Sequence, residues 1–219
     1  MRIFYVGAAL VALAAMMSGC ATVTSPKVVG TTEQAGFMRL ANEGAPIFLL
    51  PPLITFEDAK NEQPLTPLPK YGSDHADVAM ATVVPAGLGE AGMRVLTVDS
   101  LASSDLGAVG DAVRRLTEES RVLVSVRKDK SALLPALKQV ADISGAGVAC
   151  VQTVRVKVGS GAMYDPNSGA MAQGTNSTAI AIAFVSLTTG EVVWKNEAFV
   201  RYLPSSGKFE KAVKMLFAR

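Results

Sequence analysis

The sequence predicts an α/β fold: a single small domain of two or three layers, in which a mixed sheet with a C-terminal antiparallel hairpin packs against helices, preceded by a signal peptide and a flexible tether. Three observations predict it. Apolar residues recur with a period of two over Val148 to Val158 and over Ser177 to Leu187. They recur at helical spacing over Leu106 to Glu119 and over Ala132 to Ile143. Thr188-Thr189-Gly190-Glu191 then joins two β-rich runs through a turn in which Gly190 is free to take positive φ. A chain of 219 residues, 49% hydrophobic and 18% charged, buries one proper core, so one domain over residues 46–219 is expected.

Taken in order, Arg2 supplies a positive start, Ile3 to Met17 is uncharged and apolar, and Ser18 and Gly19 are small, which is the anatomy of an export signal over residues 1–19. The apolar run would form a helix of about 22 Å, shorter than a hydrocarbon core of ~30 Å, so it is suited to cleavage rather than spanning. Residues 20–45, rich in Thr, Gly and polar groups without a sustained period, read as a flexible tether. PIFLLPPLITF, from Pro46 to Phe56, reads as a first buried strand in which Pro51 and Pro52 force an edge, a bulge or a strand end. The polar, proline-rich stretch Glu57 to Asp77 reads as a surface loop.

From Asp74 to Ala91 a stripe of His75, Val78, Ala81, Val84 and Leu88 favours a helix despite Pro85, although VAMATVV alone would suit a strand; Gly92 resembles its C-cap. MRVLTVD follows as a short β-rich run. Ser104 and Asp105 offer N-caps for the helix with Leu106, Val109, Val113 and Leu116 on one face. RVLVSV, residues 121–126, reads as a short strand or as an extension of that helix. Ser131 caps the next helix, and Gly145 with Gly147 ends it. In Val148 to Val158 the even positions form a buried face and Thr153, Arg155 and Lys157 a wet one. The strand from Ser177 alternates Ile180, Ile182 and Phe184 with Ala179, Ala181 and Ala183, so its second face is small enough for close helix packing, as in a central strand. Val192 to Val200, with Trp194, completes the hairpin, and Lys208 to Arg219 closes the chain as a basic amphipathic helix on Phe209, Val213 and Leu216.

Met17-Ser18-Gly19-Cys20 resembles the bacterial lipobox, with Met in the place that Leu usually takes. The resemblance implies cleavage between Gly19 and Cys20, a diacylglycerol thioether on the Cys20 sulfur and acylation of its new amine, palmitate included. Each buried methylene contributes ~0.8 kcal/mol, and more than one acyl chain turns marginal binding into stable anchoring. Cys150, the second of two cysteines, is then left without an intramolecular partner and reads as a core residue. Ala21 follows where an inner-membrane retention signal would have Asp, which by analogy favours the periplasmic face of the outer membrane.

The stretches IFLLPP (47–52), ALKQVADISGAGVACVQTVRV (136–156) and AIAIAFVSLTTGEVVWKNEAF (179–199) resemble the periplasmic lipoproteins whose domain is similar to the N-terminal domain of TolB and to the curli-secretion lipoprotein. The motifs are structural, and what they imply is fold and compartment. Members that form pores insert long alternating hairpins, whereas residues 159–176 contain no alternating segment of the ~9–11 residues that a spanning strand needs.

Composition excludes several functions. A net charge of +2, from 21 basic and 19 acidic residues, provides no field for nucleic acid. Gly87-Leu88-Gly89-Glu90-Ala91-Gly92 matches G-x-G-x-x-G, but a β-rich run rather than a long helix follows it, so no nucleotide cofactor is expected. His75, the one histidine, lies between Asp74 and Asp77 with too few ligands for a metal, and no G-x-S-x-G elbow accompanies it. Lys208, Lys211, Lys214 and Arg219 read as a solvated helix face. The loop at 159–176, with Met163, Tyr164 and Met171 among small residues, is the candidate interaction surface. The expectation is a non-enzymatic interaction module with no cofactor, anchored in the membrane by lipid, meeting a protein partner of the cell envelope and free to oligomerise; the alternatives are an activator of a peptidoglycan synthase or a subunit of an outer-membrane secretion pore.

Overall fold

The computed structural model describes residues 24–28, 39, 43–44, 46–65, 70–159, 176–200, 204 and 207–217. In chain order its elements are β1 (Thr24–Val28), β2 (Pro46–Leu49), β3 (Leu53–Asp58), α1 (Lys70–Glu90), β4 (Arg94–Leu96), α2 (Ser103–Glu118), α3 (Ser120–Leu123), α4 (Leu134–Ser144), β5 (Val148–Val158), β6 (Ser177–Ser186), β7 (Val192–Val200) and α5 (Gly207–Met215). The seven strands form one mixed sheet in the order β1-β7-β6-β5-β2-β4, with β3 also on β5. The β5-β6-β7-β1 half is antiparallel, and β2, β3 and β4 join in parallel. The two-layer and three-layer expectations resolve to three layers, because each sheet face carries its own core. On one face Ile47, Cys150, Val154, Ile182, Phe184 and Trp194 pack with α1 and α5. On the other, Phe48, Leu50, Ala149, Val151 and Val185 pack with α2, α3 and α4.

Pro51 and Pro52 end β2, and β3 resumes on the same edge of β5: Leu49 lies opposite Cys150 and Leu53 opposite Thr153. A proline has no N–H to donate to a ladder. Gln152 covers the break, its Nε2 donating to the Leu50 carbonyl at 2.9 Å. The stretch from Glu57, read as a loop, is instead strand as far as Asp58, followed by a tight turn in which Glu62 takes φ 57° and the Asp58 N–H donates to Gln63 O.

Helix α1 forms, but its buried stripe is Ala76, Ala79, Met80, Val83, Val84 and Leu88; His75, Val78 and Ala81, placed on that stripe by spacing, face water. Several small or β-branched apolar residues in this helix allow more than one stripe, and packing against α5 selects one. Its end explains the glycine motif. A Cβ on Gly87 would stand 2.6 Å from the Phe217 ring, and Gly92 takes φ 86° just beyond the helix. The three glycines therefore lie at a helix C-terminus, the wrong end for a phosphate.

Helix α2 starts at Ser103 with Ala102 in the cap position, so Ser104 and Asp105, expected as N-caps, lie inside it. Of the two readings of RVLVSV, the helical extension is the one that forms: α3 continues from α2 after a break at Glu119 and buries Ser120 and Leu123, at i and i+3, beside Val124. Gly145 ends α4 with φ 69°, and Gly190 takes φ 74° in the hairpin turn, as the sequence indicates. At the C-terminal helix Asn196, itself buried, donates from Nδ2 to Leu216 O at 2.9 Å, satisfying a carbonyl that the helix leaves without a partner.

Within residues 20–45, expected to be a tether, Thr24–Val28 is an edge strand paired with β7. The register shifts between Thr24 and Lys27, so Ser25 and Pro26 form a bulge. A bulge places proline where no ladder donor is needed, and it also erases the alternation that would have announced a strand.

Candidate functional site

The helices of the second face cover only half of the sheet. Ala183 and Val185 of β6 belong to the core under the helices, but Ala181 and Ala179, two and four residues before Ala183, lie outside it. The small face expected to take a helix thus takes one along half its length, and the rest floors an open cleft of about 930 Å³. Leu53 and Thr55 of β3, Thr153 and Arg155 of β5, and Glu197 and Phe199 of β7 extend the floor, while Arg121, Val124 and Lys128 descend from α3 and the turn after it. These strand positions share one face because each pairs directly across: Thr55 with Arg155, Arg155 with Ala179, and Ala179 with Phe199.

Charge enters from one side. Glu57, two residues beyond Thr55 on the same face, is 6% exposed. Its Oε1 accepts from Arg121 Nη2 and its Oε2 lies 3.6 Å from Arg155 Nε. The same Arg121 nitrogen donates to Thr55 Oγ1 at 2.6 Å. One buried carboxylate thereby fixes two half-exposed guanidinium groups at the cleft's edge and ties α3 to the sheet. Burying an acid costs several kcal/mol unless it is paired, and here it has two partners. Across the cleft Lys195 pairs with Glu197 at 2.6 Å. Counting Lys128, four cations face two carboxylates, so the cleft carries a surplus of positive charge. The apolar floor and cationic rim suit an amphipathic ligand with an acidic end.

Other groups lie apart from this cleft. Cys150 is fully buried on the opposite face, and burial pushes its thiol far above the ordinary range, so the thiolate is not available to react. Lys130, whose Nζ donates to Gly190 O at 2.9 Å, has its pKa lowered by burial. Lys157 holds the Glu62 carboxyl below the usual carboxylate range by a hydrogen bond and by charge. Among the described residues no group of three or more His, Cys, Asp or Glu is placed to hold a metal ion, and His75 lies exposed on α1.

Gly19, Cys20, Met163, Tyr164, Met171 and Arg219 lie outside the described residues. The base of the 159–176 connection is described: the Gly159 N–H donates to Asn176 Oδ1 at 3.0 Å, at the same end of the strands as the cleft. Sequence reasoning missed Glu57, Arg121, Lys128 and Phe199. Glu57 was hidden in a polar run, and nothing local links it to Arg121, 64 residues away. Arg155 was read as wet, which it half is; its partner came from an unsuspected strand.

No family model and no curated protein matches the chain. Among solved structures it is similar to lipoprotein GNA1162 from Neisseria meningitidis, at 16% identity and a TM-score of 0.39 over 77% of this chain and 93% of that one. It is similar to the LpoB C-terminal domain from Salmonella enterica, at 10% identity and a TM-score of 0.37 over 78% and 98%. It is also similar to PelC from Paraburkholderia phytofirmans, solved as a dodecamer, at 13% identity and a TM-score of 0.34 over 80% of this chain and 84% of that one.

Proposed function

We propose that this is a lipid-anchored, non-catalytic interaction module of the bacterial cell envelope, and that the half-covered sheet face is where a protein partner docks. The observation that supports docking most directly is the cleft: an apolar floor of Ala179, Ala181 and Leu53 with Arg121 and Arg155 held in place by a buried carboxylate. Preorganised arginines beside an apolar groove suit an apolar segment flanked by acidic residues. The anchor rests on the lipobox resemblance of Met17 to Cys20, and the outer membrane on Ala21 after it. A peptidoglycan synthase is one partner that this reading admits.

A photo-crosslinking residue in place of Ala179 tests the docking in cells. The expected result is an adduct with an envelope protein that is absent when the same probe replaces Thr188, at the far hairpin turn. Absence of an adduct from Ala179, with the protein folded and exported, overturns the assignment. Palmitate labelling that survives in the Cys20→Ser variant would overturn the anchor.

A further inference from the structure

We infer that the domain rests directly on the bilayer through the end of the sheet where β1 meets β7, so that Phe199 and the mouth of the cleft lie in the lipid headgroup layer. The inference rests on the reading of Cys20 as the lipidated residue. β1 runs antiparallel to β7 with Thr24 opposite Phe199. The chain leading back to Cys20 therefore leaves the sheet at the C-terminal end of β7. Only Ala21, Thr22 and Val23 separate Cys20 from Thr24, and four residues fully extended reach about 14 Å. With acyl chains in the bilayer, the Cys20 sulfur sits at the interface, and Phe199 is held close to it. A tether running from residue 20 to 45 would let the domain tumble; a leash that ends at residue 24 does not.

The chemistry of this end fits a lipid surface. Phe199 is 47% exposed, one of three large apolar residues so exposed among the described residues, and an aromatic ring at headgroup depth is favourable. Behind it lie the apolar floor of the cleft and the cation surplus of Arg121, Lys128, Arg155 and Lys195 over Glu57 and Glu197, complementary to phosphate. The opposite end of the strands, at Thr188 and Thr189, is polar and exposed. Seven steps along β7, from Val192 to Phe199, place it about 24 Å away at ~3.4 Å each. Whatever enters the cleft does so at the plane of the membrane.

The test uses the full lipidated chain, purified in detergent and reconstituted into vesicles of phosphatidylethanolamine and phosphatidylglycerol that carry nitroxide-labelled headgroups. A fluorophore is attached through Phe199→Cys or through Thr188→Cys; buried Cys150 and acylated Cys20 do not compete for it. The expected result is quenching at position 199 several-fold stronger than at 188. Equal quenching at both positions, on protein whose Cys20 carries the diacylglycerol by mass spectrometry, overturns the docking and leaves the anchor intact. A mass spectrum with Cys20 unmodified overturns the anchor, and the docking with it.

Discussion

Single side chains decide what this domain can do, and Glu57 is the clearest case. Its carboxylate pairs with both cleft arginines, so its loss frees two cations at the cleft's edge. Arg121→Ala leaves the buried carboxylate with Arg155 alone and also takes a donor from Thr55 Oγ1. A cost of about 1–2 kcal/mol is expected, less than for a wholly buried pair because the guanidinium is half in water. Urea unfolding measures it, and an unchanged midpoint would show that the network adds nothing to stability. Cys150 gives a second prediction. Full burial and a raised thiol pKa mean that a maleimide reacts only with the unfolded chain, so labelling against urea follows the global transition. Labelling in the absence of urea would mean that the core opens locally.

At the scale of elements, the joint between α1 and the residues just after α5 leaves no room for a side chain at Gly87. Gly87→Ala would drive a Cβ into the Phe217 ring, 2.6 Å away. Overpacking of this kind costs about 1–3 kcal/mol, against a gain of up to ~1 kcal/mol in helix propensity. Thermal unfolding should show a net loss in Gly87→Ala that Phe217→Leu partly restores; independent effects of the two substitutions would separate the helices energetically. The elements that periodicity revealed are those with one face buried along the whole length. Val148 to Val158, the hairpin through Gly190 and the stripe of Val109, Val113 and Leu116 were legible for that reason. Where packing changes along an element, the pattern misleads. α3 alternates like a strand because only one turn of it is buried, and β1 has its period broken by the bulge at Ser25 and Pro26. The cleft was illegible for a related reason: Ala179, Ala181 and Ala183 are alike in sequence, but cover thins along them from the fully buried Ala183 through Ala181, 8% exposed, to the half-buried Ala179.

For the whole molecule, β1 covers the edge of β7. Deleting Thr24–Val28 from the full chain bares that edge, which carries a row of unpaired backbone groups. Concentration-dependent self-association is expected in sedimentation of the detergent-extracted protein; a single small species at every concentration would show that the edge is protected by other means. The parallel pairing of β3 with β5, in which Leu53 lies opposite Thr153, has a further consequence, and it concerns timing. The antiparallel run from β5 to β7 is local in sequence, while β3 waits for a partner about a hundred residues downstream and β2 has until then only the three residues of β4. Contacts of such separation form late. As the chain is made, β3 has nothing to pair with until residue 153 and beyond have appeared, and β1 nothing until β7 follows. For the exported protein proposed above, that delay would leave the chain threadable through a membrane until its C-terminal half has arrived.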